Sequence, residues 1–193
     1  MTSASLASQR PNQRLRRAAS IIADGGVVAY PTEAVFGLGC DPRHGDAVAR
    51  ILSMKRRDVA KGLILIAADP SQLEPFVLPL AADRMAEIRA SWPGPNTWLL
   101  PARSETPRWL TGRFDTLAVR VTAHPLAAAL CRAYGGAIVS TSANQAGRRP
   151  ARTALQVRLA LDEIPDMILA GACVGSDQPS CIRDGRTGRM LRA

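Results

Sequence analysis

The chain has 193 residues, 47% of them hydrophobic and 21% charged, which predicts one globular domain with its own core and excludes a disordered chain, a collagen-like chain or a second large catalytic domain. Aromatics supply only 4% of the residues, so the core is expected from Ala, Leu, Ile and Val, and a row of stacking platforms for bases is argued against. Basic residues outnumber acidic ones 25 to 16, and the net charge of +9 favours polyanionic partners such as nucleotide phosphates or RNA.

Residues 1–13 are expected to form a disordered basic lead, and 14–193 the domain. The lead carries Arg10 and several Ser, and no acid precedes Asp24, a composition shared with organellar transit peptides. Leu15, Ala18, Ala19 and Ile22 recur at helical spacing, and Gly25-Gly26 stops them. Val27 to Tyr30 then reads as a buried strand and Asp46 to Arg56 as a helix with Val48, Ile51 and Leu52 on one face. Leu63 to Ala67 is predicted as a strand, Ala82 to Trp92 as a helix, and Thr97 to Leu100 and Leu117 to Val121 as strands. Pro125 to Tyr134 is a predicted helix with Pro at its first turn, where the missing N–H does no harm. Ala137 to Ser140 is a strand and Thr153 to Leu161 a helix capped by Thr153; Met167 to Leu169 and Arg189 to Arg192 close the pattern as short strands. Strands alternating with helices predict an α/β fold. The stretches Pro31 to Gly39, Trp92 to Pro95, Pro101 to Gly112 and Gly171 to Gly188 read as long connections, where open α/β sheets place their ligands.

Cys40, Cys131, Cys173 and Cys181 are too scattered for a disulfide framework and form no C-x-x-C pair, which predicts a reducing, cytoplasmic setting. No apolar run approaches the ~18 residues of a membrane span, so no membrane association is expected. The phosphate-binding G-x-x-x-x-G-K-[ST], the dinucleotide G-x-G-x-x-G, the G-x-S-x-G elbow and H-E-x-x-H are all absent. A hydrolytic triad would have to rest on His44 or His124, the two histidines of the chain.

Four polar clusters sit at predicted strand ends instead. Thr32 and Glu33 follow the first strand, within Pro31-Thr32-Glu33 and ahead of Gly37 and Gly39. The two lysines of the chain, Lys55 and Lys61, fall with Arg56 and Arg57 in one segment, read either as exposed cations favouring a helix C-terminus or as a clamp for a polyphosphate. Arg120 stands among apolar neighbours in Ala118-Val119-Arg120-Val121, and a buried Arg needs an anion, either a structural carboxylate or that of a substrate. Ser140-Thr141-Ser142-Ala143-Asn144 closes an apolar strand with hydrogen-bonding side chains suited to phosphate or ribose oxygens, or to a turn closing on itself.

Together Pro31-Thr32-Glu33, Lys55-x-Arg57, the Arg120 strand and Ser140 to Asn144 resemble, in order and spacing, the YrdC-like family of threonylcarbamoyl-AMP synthases. Pro107 to Asp115 is similar to the compact single-domain bacterial type, and the resemblance runs from about Leu15 to the end. It implies a twisted, mixed β-sheet flanked by helices and enclosing a basic cleft. It implies condensation of L-threonine, bicarbonate and ATP into threonylcarbamoyl-adenylate and pyrophosphate, for modification of the adenosine beside the anticodon of tRNA. By the same resemblance Thr32, Arg120, Ser140 and Ser180 would hold threonine. Lys55 and Arg57 would bind the ATP phosphates and stabilise the transition state, and Thr116, Ser142, Asn144 and Arg192 would line the nucleotide. Mg2+ is expected to accompany ATP without a protein metal site. Downstream threonylcarbamoyl-transferase proteins are expected partners, and direct contact with tRNA is left open; the rival reading is an RNA-binding module of the same fold without catalysis. The chain departs from the pattern in having Lys61-Gly62-Leu63 where many relatives have Asn-Pro-Leu, Ile66 in place of a His, Asp58 in place of a Pro, and Ala34 in place of a second Thr.

Overall fold

The computed structural model describes residues 4–175, 178 and 180–192, and side chains from residue 13 onward. In chain order the elements are α1 (Ala4–Ala23), β1 (Val28–Pro31), β2 (Phe36–Gly39), α2 (Gly45–Met54), β3 (Ile64–Ala67), α3 (Ala82–Ala90), β4 (Asn96–Pro101), α4 (Arg108–Thr111), β5 (Thr116–Val121), α5 (Pro125–Tyr134), β6 (Ile138–Ser142), α6 (Ala154–Ala160), β7 (Met167–Ile168), β8 (Cys181–Asp184) and β9 (Met190–Arg192). The strands form one mixed sheet in the order β7-β1-β2-β6-β3-β5-β4-β8-β9. Pairs β1/β7, β3/β5 and β4/β8 are parallel, and the remaining neighbours are antiparallel.

Successive side chains of a strand point to opposite faces, and the core divides accordingly. Leu65, Val119 and Val139 meet Val48, Ile51, Ile88, Leu110 and Val157 of α2, α3, α4 and α6 on one side. Val28, Tyr30, Ile66 and Ile138 meet Ala18 and Ile22 of α1 and Ala127, Leu130 and Cys131 of α5 on the other. Aliphatic residues dominate as the composition requires, but Trp98, Tyr30 and Phe36 are the bulkiest fully buried side chains. The twisted mixed sheet between helical layers is the predicted fold class.

Both histidines are helix caps. His44 Nδ1 accepts from Ala47 N at the start of α2, and His124 Nδ1 from Ala127 N at the start of α5. Neither is therefore available as the base of a triad. Helix α5 has Pro125 in its first turn and ends at Gly135 in the left-handed conformation.

The differences from expectation lie in glycine-rich or polar segments. The backbone of α1 is helical from Ala4, where a disordered lead over 1–13 was expected; residues 1–3 lie outside the described set. Strand β2 was read as loop because Gly37 and Gly39 interrupt its apolar residues. Gly39 is required by packing, since a Cβ there would lie 2.6 Å from the Val139 carbonyl oxygen and 2.8 Å from the Tyr30 ring. Strand β8 and the single helical turn α4 were likewise read as connections. Gly112 closes α4 with φ +62, and its Cα faces the Ala60 carbonyl too closely to carry a side chain.

Candidate active site

Strands β3, β5 and β6 build the floor of a cavity of about 230 Å³. The registers Ile64↔Ala118, Ile66↔Arg120 and Ile64↔Ser140 place Ile64, Ile66, Arg120 and Ser140 on one face of the sheet. The β1–β2 connection (Thr32 to Val35), Arg57, Pro150, Gln178, Ser180 and Arg192 complete the walls. Of the residues singled out from the sequence, Thr32, Arg57, Arg120, Ser140, Ser142, Ser180 and Arg192 line this one cavity.

Arg57 owes its place to the end of α2. Lys55 caps the helix, Arg56 takes the left-handed conformation with φ 49, and Arg56 N and Arg57 N bond the carbonyls of Ser53 and Leu52. This is the two-bond helix stop that glycine usually serves, here adopted by an Arg at a cost of about 1 kcal/mol. It turns Lys55 and Arg57 to different partners. Arg57 Nη2 donates to the Gly62 carbonyl at 2.9 Å, while its Nε is buried with no acceptor. Burial first, and then the charge of Arg192, depress the Arg57 pKa. Arg192 Nη2 in turn donates to the Ser180 carbonyl at 2.9 Å, and the Ser180 hydroxyl bonds that of Thr97 at 2.9 Å.

Lys55 does not line the cavity, and it is not the exposed cation of the sequence reading. It is 3% exposed, its Nζ donates to the carbonyls of Ser142 and, at 2.8 Å, Asn144, and it touches the Ser142 hydroxyl. Burial and then the Arg57 charge push its amine down to about 8. Lys55 therefore ties the Ser142–Asn144 turn to the end of α2, directly behind the wall that Ser142 presents. Asn144 also lies behind that wall, where its Nδ2 donates to the Gln145 and Arg148 carbonyls and its Oδ1 is buried with no donor. Thr116 is half-buried at the start of β5, on the face of Arg120 but outside the cavity lining.

At the other end of the floor Arg120 is 7% exposed and donates through Nη1 to Glu33 Oε2 at 2.9 Å. The anion that a buried Arg demands is thus a structural carboxylate, the first of the two possibilities its strand context allowed. Glu33 also accepts from Thr122 Oγ1, Ala123 N and His124 N. Burial opposes its ionisation, but the Arg120 charge and these donors outweigh burial and hold the carboxyl below its ordinary range. Thr32 keeps its hydroxyl on the Val35 carbonyl at 2.6 Å, fixing the turn. The sequence reading had named Glu33 only as a carboxylate at a strand end; its pairing required knowing that the connection after β1 reaches Arg120 on β5, a strand that is not its neighbour in the sheet.

The Arg57 contact at Gly62 lies just before β3, and Arg120 lies opposite Ile66 near the other end of that strand. The cavity thus joins a cluster of like-charged guanidinium groups to an Arg–Glu pair, and among the described residues no group of three metal-ligating side chains occurs. Glu33 is the carboxylate in the lining, and four donors already occupy it, so the described residues offer a divalent cation no free carboxylate there. Among the described residues no helix is long and apolar enough to cross a membrane.

Comparison with known proteins identifies the family. The Sua5/YciO/YrdC family, described as telomere recombination, matches residues 20–193. A threonylcarbamoyl-AMP synthase of Nitrosococcus oceani is 60% identical over 182 residues, covering 94% of this chain and 98% of that protein. One of Halorhodospira halophila is 58% identical over 179 residues, covering 93% and 94%. Among solved structures, P. abyssi Sua5 complexed with L-threonine superposes with a TM-score of 0.83 at 33% identity, over 89% of this chain and 51% of that one, so the chain spans about half the length of that Sua5. With the family pattern matched over almost its whole length, the chain belongs to the Sua5/YciO/YrdC family.

Proposed function

We propose that the protein is a nucleotidyltransferase that condenses L-threonine, bicarbonate and ATP into threonylcarbamoyl-adenylate with release of pyrophosphate, for threonylcarbamoyl modification of tRNA. The observation that carries the reading is the pairing of two unlike anion-binding ends across one cavity: Arg57 with Arg192, and Arg120. Burial and the Arg192 charge depress the protonation of Arg57, so the pair calls for a polyanion between them, and the Arg57 Nε, which has no acceptor, calls for one. Triphosphate oxygens supply both. The relatives named threonylcarbamoyl-AMP synthase and the L-threonine bound to a Sua5 of the same fold support threonine at the Arg120 end.

In this reading the threonine amine captures carbon dioxide or bicarbonate as a carbamate. A carbamate oxygen then attacks the α-phosphorus in line, and the bond to pyrophosphate breaks. Arg120 holds the threonine carboxylate, with Thr32, Ser140 and Ser180 beside the amino acid. Arg57 and Arg192 take the charge that spreads onto the leaving phosphates, and Ser142 lies along the nucleotide. Lys55 and Asn144 hold the Ser142 wall in shape from behind. Thr116 would contact the nucleotide only where it extends past the cavity. No covalent nucleophile is needed, in keeping with both histidines serving as caps. Among the described residues no free carboxylate lines the cavity to hold a Mg2+ ion that accompanies ATP, since Glu33 already accepts from four donors.

The test is pyrophosphate release with ATP, bicarbonate and L-threonine, each omitted in turn and serine substituted for threonine. Release that needs all three, with serine poor, is the expected result; release indifferent to threonine, or none, rejects the synthase.

A further inference from the structure

Glu33 is 7% exposed and has no role in the chemistry above, yet its carboxylate ties the cavity wall to Arg120 and to the start of α5. Oε1 accepts from the Thr122 hydroxyl at 2.8 Å, Ala123 N at 3.0 Å and His124 N at 3.3 Å, and Oε2 accepts from Arg120 Nη1 at 2.9 Å. One side chain thereby fastens the connection that carries Thr32 to the strand that carries Arg120. The tie extends further through His124. Its Nδ1 accepts from Ala127 N, which leaves the proton of the neutral ring on Nε2, donated to the Ala172 carbonyl at 3.0 Å. A Cβ on Gly175 would stand 3.5 Å from Glu33 Cγ, so Gly175 lies against the same residue.

We propose that Glu33 is the positioning residue of the amino-acid end of the cavity: it grips Arg120 by one nitrogen so that the rest of the guanidinium is presented, preoriented, to the carboxylate of the amino-acid substrate. This rests on the assignment of Arg120 to that carboxylate. A planar fork with several rotatable bonds behind it binds tightly only where something fixes its orientation. The pairing does not cancel the charge that the substrate needs. Thr122 and two backbone N–H groups at the start of α5 share the Glu33 charge, so Arg120 is anchored by a carboxylate already stabilised from its other side.

The experiment compares wild type, Glu33→Gln, Glu33→Asp, Arg120→Lys and Glu33→Gln/Arg120→Lys, measuring KM for threonine and for ATP separately, with thermal unfolding alongside. Glu33→Gln is expected to raise the threonine KM about tenfold, the scale seen when the group orienting a ligand-binding side chain is removed, with the ATP KM within twofold. Glu33→Asp should recover part of the loss. The double variant should be no worse for threonine than Arg120→Lys alone, since the two act as one unit. Equal rises in both KM values, tracking a fall in unfolding temperature, mark a merely structural Glu33 and overturn the proposal. So does an unchanged threonine KM in Glu33→Gln while Arg120→Lys raises it. An unchanged threonine KM in Arg120→Lys overturns the underlying assignment of Arg120 and the proposal with it. If Glu33→Gln does not fold, Thr122→Val removes one hydroxyl from Glu33 and leaves Arg120 in place; a threonine KM raised about threefold with ATP unaffected is then expected, and no change counts against the role.

Discussion

Lys55 carries a charge that the fold disfavours, and this fixes how stability must depend on pH. Burial and the neighbouring Arg57 move its amine from an ordinary 10.5 down to about 8, a displacement worth roughly 3 kcal/mol. Acceptors at the Ser142 and Asn144 carbonyls offset part of the burial, and they explain why a cation is tolerated at 3% exposure at all. Below pH 8 the amine is charged in both the folded and the unfolded chain, so the full penalty is present. Between about 8 and 10.5 the folded protein gives up the proton while the unfolded chain keeps it, and stability rises; above 10.5 the penalty is gone. The perturbation is Lys55→Met, which keeps the length of the stem and removes the titration. The assay is urea unfolding of both proteins from pH 7 to 10.5, taking the difference so that groups common to both cancel. Relative to the variant, wild type should gain roughly 3 kcal/mol across this window, or about 6–12 °C in unfolding temperature for a chain of this size. Parallel curves, or a difference moving the other way, would refute the account of Lys55 as a buried, disfavoured cation.

Arg57→Ala should raise the ATP KM at least tenfold with the threonine KM within twofold, and it should also move the Lys55 window towards higher pH, because a neighbouring charge is removed; steady-state kinetics and the same unfolding series check both. Glu33 is held below its ordinary carboxylate range, so its contribution to stability is complete above that range and is lost as pH falls through the lower folded value; acid unfolding of Glu33→Gln should lack this limb. Gly39→Ala should cost about 2 kcal/mol in urea unfolding, since the new methyl meets the Val139 carbonyl and the Tyr30 ring at 2.6 and 2.8 Å, and a cost under 0.5 kcal/mol would show that β2 can shift.

The elements legible in the sequence are those whose burial repeats at a fixed period. Val48 and Ile51 lie three apart on α2, and Leu117, Val119 and Val121 alternate along β5. What escaped was structure specified by absence of a side chain or by a distant partner. In β2, Gly39 is required by the close approach of Tyr30 and Val139, a constraint that no local pattern carries. In β8, half-buried residues pair with β4 more than eighty positions away, so their pairing has no local signature. The site shows the same division. Residue types that bind anions were visible as Arg57, Arg120 and the Ser140 to Asn144 cluster, but their exposure was not, and the reading of Lys55 as an exposed cation failed because its acceptors lie 87 and 89 residues further along.

That failure also separates two kinds of cation that composition alone treats as one. With 25 basic residues the chain has many guanidinium groups on its surface, and pairs such as Arg186 with Asp115 or Arg56 with Asp162 are exposed and of little energetic consequence. The cavity cations differ in being held around one concave site: Arg120 by Glu33, Arg57 by the Gly62 carbonyl, Arg192 by the Ser180 carbonyl. Each spends one nitrogen on the protein, and each lines the cavity. Fixing a long side chain in advance removes the entropy that binding would otherwise cost, about 2 kcal/mol for a fully mobile Arg. Three such side chains around one cavity concentrate positive charge where the proposed reaction would place a carboxylate and a triphosphate. The net charge of +9 can draw polyanions to the surface, but only these anchored groups can tell one anion from another.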